Sequence, residues 1–210
     1  MRKPLARAFL ATAFAGFGVL TVAAPLHADD RADGLYGRFD GDLVWSVGAG
    51  AGIALGATER REALMADLRF RYLDTAGLFL APRWLPDDPV QVALGVELRP
   101  LFPARFLLDL SSRNRWIDLL VDSFGVELGT LLVPGRGNLG AALHVGIGAE
   151  IPLWWPGQDF EGAYLRLTAS RTEGGGRLGP PLPIPPWTLG AVLIVRLGAS
   201  VGLADRPRTR

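Results

Sequence analysis

A chain of 210 residues has the length of one domain. Its 49% hydrophobic content is high for a soluble domain, and 27 Gly with 16 Pro argue against a helical bundle. A net charge of +1, with acids and bases intermixed, offers no field for nucleic acid, and the absence of Cys excludes disulfides, thiolate catalysis and Cys-ligated zinc.

The first 28 residues have the order of a secretory signal. Arg2, Lys3 and Arg7 precede an uncharged apolar run from Ala8 to Ala24, and Leu26-His27-Ala28 offers small residues for a peptidase ahead of Asp29-Asp30. Cleavage after Ala28 is expected. The apolar run falls near the lower limit for a spanning helix. Residues 29–42 then form a periplasmic N-terminal segment, 43–203 a barrel and 204–210 a polar C-terminal tail.

Beyond the signal the dominant pattern is two-residue alternation, the period of a strand. From 43 to 56, Leu43, Trp45, Val47, Ala49, Ala51, Ile53 and Leu55 alternate with Ser46, Gly48, Gly50, Gly52 and Gly56. Over 62–84, Leu64, Ala66, Leu68, Phe70 and Tyr72 alternate with Met65, Asp67, Arg69 and Arg71. Residues 74–84 are read as a bent continuation of that strand past Gly77, a separate short strand being the alternative.

Strands are also expected near 90–100, 105–111, 116–133, 139–153, 160–171 and 187–203. Within 116–133 the apolar parity shifts between Val121 and Phe124. A β-bulge near Asp122-Ser123 accounts for this, and a short helix over 114–122 is the alternative. The total is eight strands, an even number as single-chain bacterial barrels require.

The weaker face decides which side meets water. A soluble barrel would cover it with Lys, Glu, Thr and Ser, whereas here Gly and Ala are interrupted by isolated Arg, Asp, Glu and His. Such a face fits a narrow lumen in which charges pair, while the aliphatic face fits lipid. Strands in lipid must close into a barrel, because an open edge leaves polar backbone unsatisfied.

With both termini in the periplasm, connections 57–61, 101–104, 134–138 and 172–186 are expected outside and 85–89, 112–115 and 154–159 inside. Trp45, Trp84, Trp116, Trp154 and Trp155 then fall at periplasmic strand ends and Trp187 at an external one, as interfacial aromatic belts.

Asp67, Arg69, Arg71, Glu97, Arg99, Glu127, His144, Glu150, Arg166 and Arg196 are expected together as a lumenal polar network. A plug of ion pairs is favoured over a conduit, since eight strands enclose little more than side chains. Gly48-Ala49-Gly50-Ala51-Gly52 is no dinucleotide loop, because Ile53 and Leu55 stand where its third small residue belongs. One His in the mature chain gives no basis for a metal site. No cofactor is expected.

Over residues 43–203 the alternation, the Gly-rich charged face and the placement of Trp resemble the small bacterial outer-membrane β-barrel proteins. The resemblance implies an all-β, closed antiparallel transmembrane barrel in a Gram-negative cell envelope, with outer-membrane lipid and the barrel assembly machinery as partners and a monomeric state. Such barrels usually end in a strand with a terminal aromatic residue, whereas this chain ends Leu203-Ala204-Asp205-Arg206-Pro207-Arg208-Thr209-Arg210.

The expected role is structural or ligand-contacting through external loops. A narrow porin-like channel or carrier and a lipid-modifying enzyme are the alternatives. For the last, the lipid A deacylases carry His-x-Ser on a strand, but His144-Val145-Gly146 has Gly at the third position. Glu150, six residues along the same strand, lies roughly 20 Å from His144.

Overall fold

The computed structural model describes residues 43–56, 59–108, 110, 112, 114–134, 139–155, 161–176 and 184–199. The segments 1–28, 29–42 and 204–210 named above lie outside the described residues, as do 200–203 of the last expected strand.

The strands are β1 Leu43–Leu55, β2 Arg60–Tyr72, β3 Ala76–Trp84, β4 Gln91–Leu98, β5 Gly125–Pro134, β6 Leu139–Trp154, β7 Gly162–Gly176 and β8 Trp187–Ala199. Each pairs antiparallel with its sequence neighbours, and β1 pairs with β8, so the sheet is a closed eight-stranded barrel. Between β4 and β5 lie two short helices, α1 Leu101–Leu107 and α2 Arg115–Asp122.

Three expected elements are corrected. Residues 62–84 are two strands, not one, because the chain reverses at Leu73-Asp74-Thr75. Leu73 and Asp74 adopt φ of 49° and 54°, and the Thr75 amide donates to the Tyr72 carbonyl at 3.0 Å. Both central residues at positive φ give the twist that a tight hairpin needs, but Leu-Asp lacks the usual Asn-Gly signal.

The described residues of 105–111 form no strand. Leu101–Leu107 is helical, with Pro103 in the first turn, where its missing N–H costs no helical hydrogen bond. The parity shift in 116–133 is a helix-to-strand junction rather than a bulge. Asn114 caps α2, its side chain accepting from the Trp116 and Ile117 amides at 3.1 and 3.4 Å.

These corrections regroup the connections. The 73–75, 99–124 and 155–161 connections share the end where β1 begins and β8 stops, here called the terminal end. Connections 56–59, 85–90, 135–138 and 177–186 share the far end. Arg61, at the start of β2, is tied to the second of these by an ion pair to Asp88 at 2.6 Å. Residues 85–89 and 101–104 therefore each lie at the end opposite to that expected, and Trp84 is at the far end with Trp187. Because β7 runs on to Gly176, the last connection is also shorter than expected.

The two faces of the sheet differ in chemistry. Outward are the aliphatic positions, including Leu78 at 62% exposure and Leu128 at 54%. Among the described strands, charge projects outward only from Arg60 and Glu62 of β2 and from Arg171 and Glu173 of β7, all near the far end. Inward, β1 supplies Val44, Ser46, Gly48, Gly50, Gly52 and Ala54, all small or neutral, while the other strands carry the charges.

Candidate functional site

The barrel interior is filled by a lattice of ion pairs. Asp67, Arg69, Arg71, Glu97, Arg99, Glu127, His144, Glu150, Arg166 and Arg196 are all buried there, on β2, β4 to β8 and the residue following β4. Asp74, from the β2–β3 turn, joins them.

Glu150 is the lattice's centre. Its Oε1 accepts from Arg71 Nη2 at 2.8 Å and Arg166 Nη1 at 2.7 Å and also from Arg99 Nη2, while its Oε2 accepts from Arg196 Nη2. Glu97 forms a second node, with Arg71 Nε at 2.6 Å, Arg166 Nη2 at 2.9 Å, Arg69 Nη1 at 3.2 Å and Arg99 Nε at 3.8 Å.

Around these nodes the remaining acids each hold at least one arginine. Asp67 takes Arg69 bidentately, both bonds at 2.7 Å. Glu127 receives Arg166 at 2.6 Å and Arg69 at 2.9 Å, and Asp74 receives Arg99 at 2.9 Å and Arg196 at 3.5 Å. Planar guanidinium groups suit this sharing, since each presents five donors in a fixed fork. In a poorly hydrated interior an ion pair is stable only when its remaining polar atoms are also bonded.

Glycines make room for the lattice. A Cβ added at Gly148 would stand 2.5 Å from Arg166 Nη2, and one at Gly146 would stand 2.9 Å from Glu127 Oε2. The glycine alternation in β6 thus leaves the volume that a guanidinium and a carboxylate occupy. Aromatic faces add to the support, with Arg196 4.4 Å from the Tyr164 ring centre and Arg69 5.3 Å from that of Phe79.

His144 sits beside the lattice. Its Nε2 is 3.3 Å from Glu127 Oε2, and its ring lies 5.6 Å from Phe79. The carboxylate at His144 is therefore Glu127 of the adjacent strand, not Glu150. No described hydroxyl hydrogen-bonds to the imidazole, and Nδ1 has no partner.

The terminal mouth is closed by the helical connection. Leu119 of α2 packs on Val44 inside the barrel, and Trp116 Nε1 donates to the Pro152 carbonyl at 3.0 Å. Ser123 latches the lid to the central node, because its Oγ accepts from the Glu150 amide at 2.7 Å while donating to the Leu120 carbonyl of α2 at 2.7 Å. Within the lid, Arg105 bonds Asp118 at 2.5 Å and Asp122 at 2.7 Å. Burial lowers the Arg105 pKa, but the Asp118 hydrogen bond and the charges of Asp122 and Asp118 outweigh it, and the guanidinium is held above its ordinary value.

At the far end the ceiling is apolar. Phe79, Ala93, Leu131 and Val133 cluster under Ile184, and Ala54, Ala63 and Leu85 form a second patch with Met65. Between ceiling and lattice lies a cavity of about 20 Å³, lined in part by Arg83, His144, Thr168, Ser170 and Thr188.

Of the six Trp residues, Trp45, Trp116, Trp154 and Trp155 lie toward the terminal end and Trp84 and Trp187 toward the far end. Arg171 stacks 5.3 Å from Trp187, and Arg115 stacks 5.3 Å from Trp155.

Sequence reasoning missed Asp74, Arg83, Gln91 and the first lid helix, whereas α2 is the short helix named as the alternative over 114–122. Asp74 was hidden by reading 62–84 as one strand. Arg83 and Gln91 were legible, since both keep the inward parity of their strands.

No protein-family model matches the chain, and a search of curated proteins found no significant match. The closed antiparallel barrel of eight strands is consistent in general architecture with the small outer-membrane barrels, without identifying a particular kind.

Proposed function

We propose that this chain is a bacterial outer-membrane β-barrel that conducts nothing and acts through the connections at its far end, which face the cell exterior. The observation that carries this is the inversion of the two faces. Bulky aliphatic side chains point outward from every strand, whereas the arginines and carboxylates of the lattice are sealed within and the few outward charges lie near the far end. In water that arrangement exposes a broad apolar belt and buries eleven formal charges inside the barrel, each choice unfavourable. In a bilayer the belt meets hydrocarbon and the charges avoid it.

The role is structural or partner-contacting and non-enzymatic. Export through the signal segment and delivery by the barrel assembly machinery follow from this reading. The ion-pair lattice and the lid occupy the path that a solute would need.

The test is folding from urea into preformed lipid vesicles. The folded protein should migrate faster than the heat-denatured form on gels and should leave planar bilayers electrically silent. Recovery of a monodisperse soluble protein without lipid or detergent would reject the membrane assignment, and discrete conductance steps would reject the plug.

A further inference from the structure

The charge lattice balances without Arg83. Asp67, Asp74, Glu97, Glu127 and Glu150 carry five negative charges, and Arg69, Arg71, Arg99, Arg166 and Arg196 carry five positive ones. Arg83 is 3% exposed and stands apart from them. Its Nε donates to Gln91 Oε1 at 2.7 Å and its Nη1 to Thr188 Oγ1, both neutral acceptors, and its Nη2 has no hydrogen-bond partner.

No carboxylate among the described residues pairs with this guanidinium. The far-end segments outside the described residues, 57–58, 135–138 and 177–183, contain no Asp or Glu. A buried lysine could shed its proton, but an arginine cannot. Among the described residues the interior therefore holds one positive charge with no carboxylate to pair it.

Arg83 faces the cavity of about 20 Å³ beneath the apolar ceiling. One water-sized particle needs about 10–15 Å³ by this measure. The space has the size for a single monatomic ion. Hydroxyls of Thr168, Ser170 and Thr188 line it. Asp67 and Glu127 also border it, but their charges are engaged by Arg69 and Arg166.

We propose that Arg83 holds a monatomic halide, chloride in the cell, as a structural counter-ion in this cavity. The ion neutralises the guanidinium, and it joins the β3 side of the barrel to β7 and β8 through the hydroxyls. The inference goes beyond the proposed function and does not depend on what wets the outer face.

The experiment uses the full folded protein in detergent, with sodium gluconate holding ionic strength constant while sodium chloride or sodium bromide replaces it. The unfolding midpoint should rise saturably with either halide. Replacement by sodium sulfate should give no such rise. Arg83→Gln should lose the saturable response, and Arg83→Met should be indifferent to halide and more stable than the parent protein in gluconate. Crystals grown in bromide should show an anomalous peak against Arg83 Nη2, a readout that needs no variant. A midpoint blind to halide identity, a saturable response that survives in both variants, or a bromide-free cavity would each overturn the proposal. None of these outcomes bears on insertion into vesicles, so the membrane reading stands or falls separately.

Discussion

Glu150 receives four guanidinium groups, so replacing it leaves several buried positive charges facing one another. Glu150→Gln keeps the shape and removes the charge. Breaking a buried pair in this way costs about 3–5 kcal/mol, and the midpoint of urea unfolding in detergent should fall accordingly. The Arg171–Glu173 pair supplies the contrast, because both side chains are about half exposed. Glu173→Gln should leave the midpoint almost unchanged, since exposed pairs contribute roughly 0–1 kcal/mol. The inward placement of most lattice members follows from alternation, since Asp67, Arg69 and Arg71 share one parity with the glycines opposite. Asp74 could not be placed that way, because parity carries no information through a turn whose residues, Leu73 and Asp74, lack the usual turn signal.

Among the elements, α2 depends on its first turn. Asn114→Ala removes the acceptor for two amides and should lower stability by about 1 kcal/mol. Proteolysis within 99–124 should quicken while the strands remain protected. The glycine alternation of β6 makes a different demand. Arg166 is held by Glu97, Glu127 and Glu150, so it cannot swing away from a new methyl group at position 148. Gly148→Ala should therefore destabilise by about 1–3 kcal/mol, measured by the same urea titration. Two errors in reading the strands cancelled in their number. Merging β2 with β3 removed one strand, and reading 105–111 as another restored it, yet the pairing of ends was lost. Short apolar runs such as 115–122 fit helix and strand alike, and only the Asn114 cap separates them.

For the molecule as a whole, the outer face is what distinguishes a bilayer protein from a soluble one. Leu193 lies mid-strand in β8, paired with Ala49 and Leu165, and is 46% exposed. Leu193→Arg should make insertion into vesicles less favourable by about 2–4 kcal/mol, read from the folded fraction on gels. A variant that folds into vesicles as well as the parent would remove the lipid-facing assignment. The orientation of the two faces was legible because it depends on composition, Gly and Arg against Leu and Val, and survives any error in strand boundaries. The grouping of connections was not, because it depends on counting every reversal of the chain.

The plain interior of β1 has a consequence for how the cylinder is completed. It contributes no ionised group, and its one polar contact with the lattice is Ser46 Oγ, 3.5 Å from Arg71 Nη1. The other seven strands and their connections therefore carry every salt link of the lattice, and pairing β1 at the seam adds none. A circular permutant that begins at β2 and appends β1 after β8 should assemble the same sheet, with its heat-shifted gel mobility intact.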